Sequence, residues 1–457
     1  MVMGSLPEQV DVAVIGGGVG GYVAAIRAAE LGKNVVLVEK EKLGGHCLNY
    51  ACIPSKTLIH ISDIFYEAQH SEKFGINISS ASIDAKKMLD WRLGVSKKLE
   101  DGVAFLCKSN GVDVLKGTAT FISSNSLQLT DGITLEFKKA IIATGSIPKP
   151  LKGFEFGDTI IDYKRALMLD RVPKSMLIIG AGYVAVEIGT LYAKLGTKVT
   201  ILARSDVLSH FDRDAVELVK RRMSELSVSI IAGVTPIERK GNTVSLSNGS
   251  SLDAEIIVVA TGLSPYTDGL GLENIKVEVD QNGFIKVDNS LQTLDPNILA
   301  IGDVIGEPML AHKAIRQGVV AGEVASGMNS SYSNIVVPAV IFSDPEIAIA
   351  GSIEEAEGVK VTKFPLTGLG RAVALDTTKG FIKIAYEDDG LVKGVEIVSP
   401  DANSMIAEAA LAIEMGATIE DIADTIHPHP TYSEGIQEVA EAALGRPIHF
   451  FYGKPVK

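Results

Sequence analysis

The sequence predicts an α/β protein in which two Rossmann-like nucleotide-binding domains are followed by a C-terminal α+β domain. Three observations support this fold class. A strand, a glycine-rich turn, a helix and a second strand follow one another near the N-terminus, and the same order recurs in the middle of the chain. Short strands and apolar helices then alternate beyond residue 337. With 457 residues, the chain is long enough for about three domains, each with its own core.

The first repeat has the pattern of a dinucleotide-binding turn. An apolar run at residues 10–15 leads into Gly16, Gly18 and Gly21, which have the spacing G-x-G-x-x-G. Glycines allow a tight bend and let the backbone approach a pyrophosphate at the helix N-terminus, although they also occur in ordinary turns. Glu39 ends the next apolar run, 21 residues after Gly18, where an acid hydrogen-bonds a ribose hydroxyl. The first repeat therefore predicts a site for the adenosine half of FAD.

The second repeat differs at the position that selects the nucleotide. Its turn contains Gly180, Gly182 and Ala185, and the glycine after the helix follows 14 residues later, as in the first repeat. The offset of 21 residues from Gly182 falls on Ala203, which Arg204 follows. Without an acid at this position, a nearby arginine can accommodate the 2′-phosphate of NADP(H), so this site favours NADP(H) over NAD(H). Arg204 as an ordinary solvated surface charge is the alternative.

Each repeat is followed by an apolar strand that ends in Ala-Thr-Gly, which supports two nucleotide domains, one inserted into the other. Thr144 and Gly145 lie in the first of these turns and Gly262 in the second. A further division is predicted at residues 332–337, before the strand at 380–386 and the helix at 402–415.

Composition narrows the class of protein. The formal net charge of −13 disfavours a nucleic-acid binder, which needs a surface rich in Lys and Arg. Residues 1–9 lack the basic and apolar regions of a signal peptide, and no apolar run reaches the ~18 residues of a membrane span. We expect a cytoplasmic protein without a membrane span and without a metal site.

Two of the three cysteines lie close together, at Cys47 and Cys52. In a regular helix, five residues correspond to about 7.5 Å, whereas a disulfide needs Cα atoms about 4.4–6.8 Å apart. The pair can bond only where a helix is distorted or just beginning, and such a bond is readily reduced. The alternative is three reduced, buried thiols, which is the expectation for Cys107 in its apolar stretch.

Residues 43–56 resemble the active-site signature of the pyridine nucleotide-disulfide oxidoreductases, and the likeness, which extends over essentially the whole chain, is nearest to the members that oxidise dihydrolipoamide. The resemblance implies that Cys47 is the interchange thiol and Cys52 the charge-transfer thiol facing the flavin. It also implies that Lys56 lies near flavin N5 and pairs with Glu187. From the residues alone, these last two side chains would be surface charges.

Three further stretches carry the resemblance. Residues 293–303 resemble a second FAD motif, in which Asp303 would bind the ribityl chain. Ala311 and His312 lie in a stretch that resembles the loop beneath the isoalloxazine ring, and residues 342–346 resemble the start of a dimerisation domain. We therefore predict an FAD-binding domain at residues 1–150 with a second part at 266–334, an NAD(P)-binding domain at 151–265, and a dimerisation domain at 335–457.

The sequence also departs from the family pattern. His46, Tyr50 and Ala51 replace a more usual Thr and Val-Gly in the cysteine motif, and Leu263 stands where the family often has an arginine. These changes, together with Ala203 and Arg204, bear on the choice of nicotinamide cofactor more than on the type of reaction.

A candidate base lies near the C-terminus, where His427, His429 and Glu434 occur in a proline-rich stretch. Histidine moves protons near neutral pH, and a carboxylate can orient its ring. Plain turn residues or metal ligands are the alternatives, although few cysteines and acids cluster here. The resemblance implies that His429 is the base and Glu434 its partner. It also implies that this pair enters the active site of the other subunit of a homodimer.

These interpretations predict a flavoprotein that oxidises dihydrolipoamide through a disulfide between Cys47 and Cys52, with electrons passing through FAD to NAD or NADP. A lipoyl-bearing subunit of a 2-oxoacid dehydrogenase or glycine cleavage system is the expected partner. The alternative is an NADPH-dependent reductase of glutathione-like disulfides, which Arg204 favours. A mercuric reductase is disfavoured because no cysteine follows Cys107. A flavoprotein that serves chiefly as a binding subunit is the remaining alternative.

Overall fold

The computed structural model describes residues 9–452. In chain order, the strands are β1 (Gln9–Ile15), β2 (Val35–Glu39), β3 (Val112–Lys116), β4 (Ala119–Ser123), β5 (Ser126–Leu129), β6 (Thr134–Ile142), β7 (Ser146–Pro148), β8 (Ile160–Ile161), β9 (Ser175–Ile179), β10 (Lys198–Ala203), β11 (Ser229–Ala232), β12 (Pro236–Lys240), β13 (Thr243–Leu246), β14 (Ser251–Asp253), β15 (Ile256–Val259), β16 (Leu263–Pro265), β17 (Ile298–Ala300), β18 (Ala339–Ile341), β19 (Glu346–Gly351), β20 (Val359–Pro365), β21 (Phe381–Glu387) and β22 (Val392–Ser399). The α-helices are α1 (Val19–Glu30), α2 (Gly45–Asn49), α3 (Cys52–Gln69), α4 (Ala85–Ser109), α5 (Tyr163–Ala166), α6 (Tyr183–Lys194), α7 (Arg213–Glu225), α8 (Ala311–Ala325), α9 (Gly370–Ala374), α10 (Ala402–Met415), α11 (Ile419–Ala423) and α12 (Glu434–Ala443).

The chain forms two compact units, Met1–Val172 with Val258–Ser333 and Pro173–Ile257 with Asn334–Lys457. The first unit is built on a sheet with the strand order β3-β2-β1-β6-β5-β4, in which β17 also pairs with β6. Strands β1, β2 and β3 pair in parallel, and β6 is parallel to β1 and β17, whereas β5 is antiparallel to both β4 and β6. The chain therefore returns to its first sheet after residues 173–257.

Apolar strands and small helix residues fix the packing of this unit. Buried residues cover both faces of the sheet, and Cys107 is a fully buried member of one face, as the sequence predicts. Helices α1 and α8 pack closely because α8 carries glycines at the contact. A Cβ at Gly318 would lie 2.5 Å from the Gly20 carbonyl oxygen, and one at Gly322 would lie 2.8 Å from that of Ala24.

The second unit contains the other βαβ repeat and the C-terminal sheet. Strands β9, β10 and β11 are parallel neighbours, and β12, β13 and β14 form an antiparallel sheet. The C-terminal sheet is antiparallel with the order β18-β19-β22-β21-β20, and α10, α11 and α12 contribute to the core with it. Asp344 accepts hydrogen bonds from Lys194 (2.7 Å) and Arg222 (2.9 Å), which ties the two chain segments of this unit together.

The predicted α/β class with a C-terminal α+β region is confirmed by these elements. The predicted boundaries at residues 150, 265 and 334 stay predictions. Among residues 9–452, no helix is long and apolar enough to cross a membrane.

Candidate active site

The two neighbouring cysteines lie on either side of a break between helices. Cys47 belongs to α2, which ends at Asn49, and Cys52 is the first residue of α3. Between the helices, Ala51 has φ −132° and ψ −91°, outside the helical region. The Cα atoms of the two cysteines are 4.6 Å apart, and their sulfurs form a disulfide. The prediction that the pair bonds where a helix is interrupted or just beginning is confirmed.

Helix α4 holds this break in place. Ser96 donates a hydrogen bond to the carbonyl oxygen of Leu48 (3.1 Å), and Arg92 donates one to that of Asn49 (2.5 Å). The Asn49 side chain in turn donates to the Leu43 carbonyl oxygen at 2.9 Å. Arg92 is buried, and this burial lowers its pKa. Local sequence patterns do not identify Arg92 or Ser96, because both lie more than 40 residues from the carbonyls that they bind.

The glycine-rich turn of the first unit needs glycine at two of its positions. Gly16 has φ +104°, and a Cβ there would lie 2.4 Å from the Ala143 carbonyl oxygen. A Cβ at Gly21 would lie 1.9 Å from the Gly16 carbonyl oxygen. A Cβ at Gly18 would meet no described heavy atom within 4 Å, so there is open space beside this position, directly before α1.

The start of α1 fits the phosphates and ribose of FAD. Within the described chain, no side chain caps its N-terminus, and its first turn has no acidic residue. The free N–H groups and the helix dipole there attract an anion. The carboxylate of Glu39 accepts hydrogen bonds from the backbone N–H groups of Gly17 and Glu41, both at 2.7 Å. It is thereby fixed beside the turn, at the end of β2 where a ribose hydroxyl is expected.

The other predicted FAD contacts also lie in the first unit. Ser146 donates a hydrogen bond to Asp303 Oδ2 at 2.7 Å. Burial raises the pKa of Asp303, against the opposing effects of Ser146 and the Lys313 charge. Asp303 can therefore keep a proton more readily than an exposed carboxyl, and it suits hydrogen bonding to ligand hydroxyls. Ala311 and His312 are the first two residues of α8.

The Ala-Thr-Gly turn after β6 is anchored to a later segment of the same unit. The Thr144 hydroxyl donates to the Tyr266 carbonyl oxygen (2.6 Å), and the Tyr266 N–H donates to the Gly145 carbonyl oxygen (2.9 Å). Gly145 has φ +73°. Gly262, in the corresponding second turn, has φ +119° and accepts a hydrogen bond from the Lys149 N–H at 3.0 Å.

His46, one of the departures from the family pattern, is a partly buried neutral histidine beside Cys47. Burial lowers its pKa to about 4, assisted by the charges of Lys164 and Lys40. Its Nδ1 lies 3.4 Å from the Tyr163 hydroxyl. Tyr50, the second departure, has its pKa raised to about 12, mainly by burial.

In the second unit, the glycine-rich turn again precedes a helix that no described side chain caps. Gly180 has φ +124°, Gly182 precedes α6, and Ala185 is buried in its first turn. The Glu187 side chain, in the same helix, accepts a hydrogen bond from the Phe342 N–H at 3.0 Å. Arg204 is exposed and directly follows β10.

Lys56 lies on α3 in the first unit, while Glu187 lies on α6 in the second. Their pairing stays a prediction.

The candidate base forms the hydrogen bond expected of it. His429 Nδ1 lies 2.7 Å from Glu434 Oε1, and the Glu434 Oε2 accepts the Thr431 N–H at 2.8 Å. Burial acts to raise the pKa of Glu434, but the hydrogen bonds from Thr431 and His429 outweigh it, and the pKa is lowered. The carboxylate is therefore ionised near neutral pH, and it holds one nitrogen of a side chain that is 75% exposed.

A second histidine–carboxylate pair lies next to the first. His427 Nε2 is 2.8 Å from Glu408 Oε1, on α10. Glu408 was not selected from the sequence, because nothing local connects residues 19 positions apart. Among the described residues, no group of three or more His, Cys, Asp or Glu side chains is arranged to hold a metal ion.

Two family models match the chain. Residues 10–318 match the model described as pyridine nucleotide-disulphide oxidoreductase. Residues 337–440 match the model of the dimerisation domain of the same family.

Relatives of similar length carry one functional name. The chain is 45% identical to the dihydrolipoyl dehydrogenase of Geobacillus stearothermophilus, with 98% of this chain and 99% of that protein covered. It is 43% identical to the dihydrolipoyl dehydrogenase of Bacillus subtilis, with 98% and 99% covered. It is 40% identical to dihydrolipoyl dehydrogenase 2 of Haloarcula marismortui, with 98% and 100% covered.

Solved structures show the same fold. LpdA from Mycobacterium tuberculosis superposes with a TM-score of 0.88 at 26% identity, covering 95% of this chain and 99% of that one. The HOCl-induced flavoprotein disulfide reductase RclA from Escherichia coli superposes with a TM-score of 0.84 at 26% identity, covering 94% and 99%.

Proposed function

The chain belongs to the pyridine nucleotide-disulphide oxidoreductase family, and we propose that it is a dihydrolipoyl dehydrogenase. The observation that carries the proposal is the disulfide between Cys47 and Cys52 at the junction of α2 and α3. It lies in the same unit as a glycine-rich turn and an acid suited to FAD. Relatives that carry this activity in their names match 98% of the chain at 40–45% identity.

The cofactors are FAD and a nicotinamide nucleotide. We assign Gly16, Gly18, Gly21 and Glu39 to the adenosine and phosphate part of FAD, and Asp303 to its ribityl chain. We assign the same contact role to a further set of residues: Lys56, Thr144, Gly145, Ala311 and His312. When bound, FAD carries an electron pair between the reduced cysteines and the nicotinamide.

The proposed chemistry at sulfur is two successive thiol–disulfide exchanges. His429 accepts the proton of one thiol of dihydrolipoamide, and the resulting thiolate attacks Cys47 Sγ. The bond between Cys47 and Cys52 breaks, and Cys52 leaves as a thiolate. The second substrate thiol then attacks the substrate sulfur of the mixed disulfide, and its proton passes to the sulfur of Cys47, which leaves as a thiol. Lipoamide is released with its own disulfide formed, and both cysteines are left reduced.

The proposed base depends on its carboxylate partner. Because the His429 Nδ1–H donates a hydrogen bond to ionised Glu434, Nδ1 keeps its proton and Nε2 is the nitrogen that receives the substrate proton. The carboxylate also stabilises the imidazolium that forms. The chain has a dimerisation domain, and we propose that the His429–Glu434 pair acts in the active site of the other subunit of a homodimer.

We propose that the nicotinamide site prefers NADP(H) over NAD(H) because of Arg204. It is exposed directly after β10, where Ala203 leaves no acid for a ribose 2′-hydroxyl. We assign Gly180, Gly182, Ala185, Glu187 and Gly262 to the same nucleotide site. An NADPH-dependent reductase of small disulfides is the second candidate function, because Arg204 suits a 2′-phosphate.

The proposed partner is a lipoyl-bearing subunit of a 2-oxoacid dehydrogenase or glycine cleavage system, and the proposed compartment is the cytoplasm. Low cysteine content supports this compartment, since only three cysteines occur in 457 residues.

A steady-state comparison tests the proposed reaction. Dihydrolipoamide is supplied with NAD or NADP, and glutathione disulfide with NADH or NADPH, to the FAD-loaded protein. We expect turnover of dihydrolipoamide to exceed that of glutathione disulfide at least tenfold, and to be lost in C47S. Faster turnover of glutathione disulfide with NADPH would replace the proposal by its alternative.

A further inference from the structure

We propose that His427 and Glu408 form a positioning pair that holds the segment carrying His429, an inference that rests on the proposed function. His427 is two residues from His429, in the connection between α11 and α12. Glu408 reaches it from α10, on a different part of the chain. His427 acts through His429 and is not itself a group that reacts.

His427 is buried although the apolar residue beside it is exposed, which is the reverse of the usual distribution of polar and apolar side chains. Its side chain is only 4% exposed, whereas Ile426 is 93% exposed and the side chain of His429 is 75% exposed. Solvation alone would place the isoleucine inside and the histidine outside. The hydrogen bonds of His427 therefore determine how this segment faces the protein.

Both nitrogens of His427 face acceptors. Nδ1 lies 2.9 Å from the Thr425 carbonyl oxygen, and Nε2 lies 2.8 Å from Glu408 Oε1. A neutral ring can donate only one of these two hydrogen bonds, so the two acceptors favour the imidazolium, which carries a proton on each nitrogen. The hydrogen bond to Glu408 is the largest cause that raises its pKa, burial opposes it, and the charges of Glu408 and Glu434 add to it.

Two further hydrogen bonds shape the segment, one within it and one between the two helices that it connects. The Thr431 hydroxyl donates to the Pro428 carbonyl oxygen at 2.7 Å, and the Gln437 side chain donates to the Ala423 carbonyl oxygen at 3.1 Å. Of these contacts, the hydrogen bond of His427 to Glu408 is the one that joins the segment to α10. Since a displacement of about 1 Å at a reacting group costs about 100-fold in rate, loss of this attachment should slow proton transfer by His429.

The chain offers a matched control on the same helix. Glu414, also on α10, accepts hydrogen bonds from the backbone N–H groups of Ile335 (2.9 Å) and Val336 (3.1 Å). It anchors a different segment with the same kind of side chain. E408A and E414A thus compare two lost carboxylate anchors, of which only one holds the segment of His429. E408Q keeps an oxygen that can accept a hydrogen bond from the His427 Nε2–H.

The FAD-loaded dimer of each variant is assayed in two ways. Turnover of dihydrolipoamide requires His429, whereas reduction of the flavin by the nicotinamide does not require a base for the substrate thiol. We expect E408A to lower kcat with dihydrolipoamide about tenfold to 100-fold and to leave flavin reduction unchanged. We expect E414A to match the wild type and E408Q to stay within about threefold of it. In side-chain NMR of labelled histidines, the His429 ring signal should move in E408A and not in E414A.

Equal kcat values in E408A and E414A would overturn the positioning role, as would an equal slowing of flavin reduction and dihydrolipoamide turnover in E408A. If E408A does not fold, H427Q takes its place with the same criteria, because glutamine keeps a donor for Glu408 and loses the one for Thr425. A wild type that does not oxidise dihydrolipoamide would refute the proposed function alone. In that case the NMR signal of the His429 ring tests the positioning role. The role is overturned if this signal is no more shifted in E408A than in E414A.

Discussion

Replacement of Glu396 by glutamine should change how the stability of the protein depends on pH. Glu396 lies in β22, is fully buried, and faces Lys383 across the sheet. No described donor reaches either of its carboxylate oxygens. Burial raises its pKa to about 8, the charges of Asp212 and Asp214 add to the rise, and Lys383 opposes it.

The surroundings of Glu396 explain why the positive charge of Lys383 is not enough to keep this carboxyl ionised. Lys383 Nζ is already 2.8 Å from Asp212 and 3.0 Å from Asp214, and Lys363 Nζ is 2.8 Å from the same oxygen of Asp214. Two aspartates thus share the nearby lysines, and a third carboxylate would be repelled. A protonated Glu396 can instead donate a hydrogen bond to Asp212.

The size and sign of the effect follow from this pKa. Below pH 4.5, the ordinary value of the group, the folded and unfolded states both bind the proton. Between pH 4.5 and about 8 the unfolded state releases it and the folded state keeps it, so the free energy of unfolding falls as pH rises. At about 1.4 kcal/mol for each pH unit, the total loss is about 5 kcal/mol. For a chain of this length, that corresponds to about 5 °C in Tm.

E396Q should remove this loss because its amide is neutral at every pH and can also donate to Asp212. Thermal unfolding is followed by circular dichroism from pH 5 to 9, at fixed protein and FAD concentrations. We expect the two proteins to unfold together at pH 5 and E396Q to unfold about 4 °C higher at pH 9, because about three pH units of the loss lie between these two values. E387Q, which alters a partly exposed carboxylate paired with Lys393, is the control and should differ from the wild type by a constant amount. A constant difference between E396Q and the wild type would refute the reasoning.

Three further predictions concern the proposed chemistry. Anaerobic reduction of the wild type should give a long-wavelength absorbance from a thiolate beside the flavin, which C52S should lack and C47S should keep; its absence from intact wild type would contradict the assignment of Cys52. H429Q should lower dihydrolipoamide turnover about 100-fold to 10⁴-fold with FAD still bound, in line with the loss of a general base, and near-normal kcat would remove it from that role. R204A should raise the KM for NADPH more than that for NADH, and an equal rise for both would show that Arg204 does not contact a 2′-phosphate.

Local patterns predicted the parts of the site that lie within one βαβ repeat or one turn. The glycine spacing and Glu39 predicted the turn before α1, and the five-residue spacing of the cysteines predicted an interrupted helix. The pairing of His429 with Glu434 is also local, because α12 begins at Glu434 and the two side chains are one loop apart.

Contacts between distant residues could not be predicted in the same way. Glu396 is an isolated acid in an apolar strand, which signals an anomaly, but its neighbours Asp212 and Asp214 are identified only by the fold. The sequence likewise contains both His427 and Glu408 and gives no reason to connect them. Glu408 can be recognised as the partner of His427 only from the fold, which brings α10 next to the segment of His427.

The break that lets Cys47 and Cys52 bond has a physical cost that α4 offsets. A helix that ends leaves its last carbonyl groups without partners, and α2 ends after five residues. Arg92 and Ser96 donate to two of these carbonyl oxygens, those of Asn49 and Leu48. A buried guanidinium is unfavourable in itself, as its lowered pKa indicates. Its burial is explained if α4 stabilises the interrupted backbone that brings the cysteines together, which extends the redox site beyond its sequence motif.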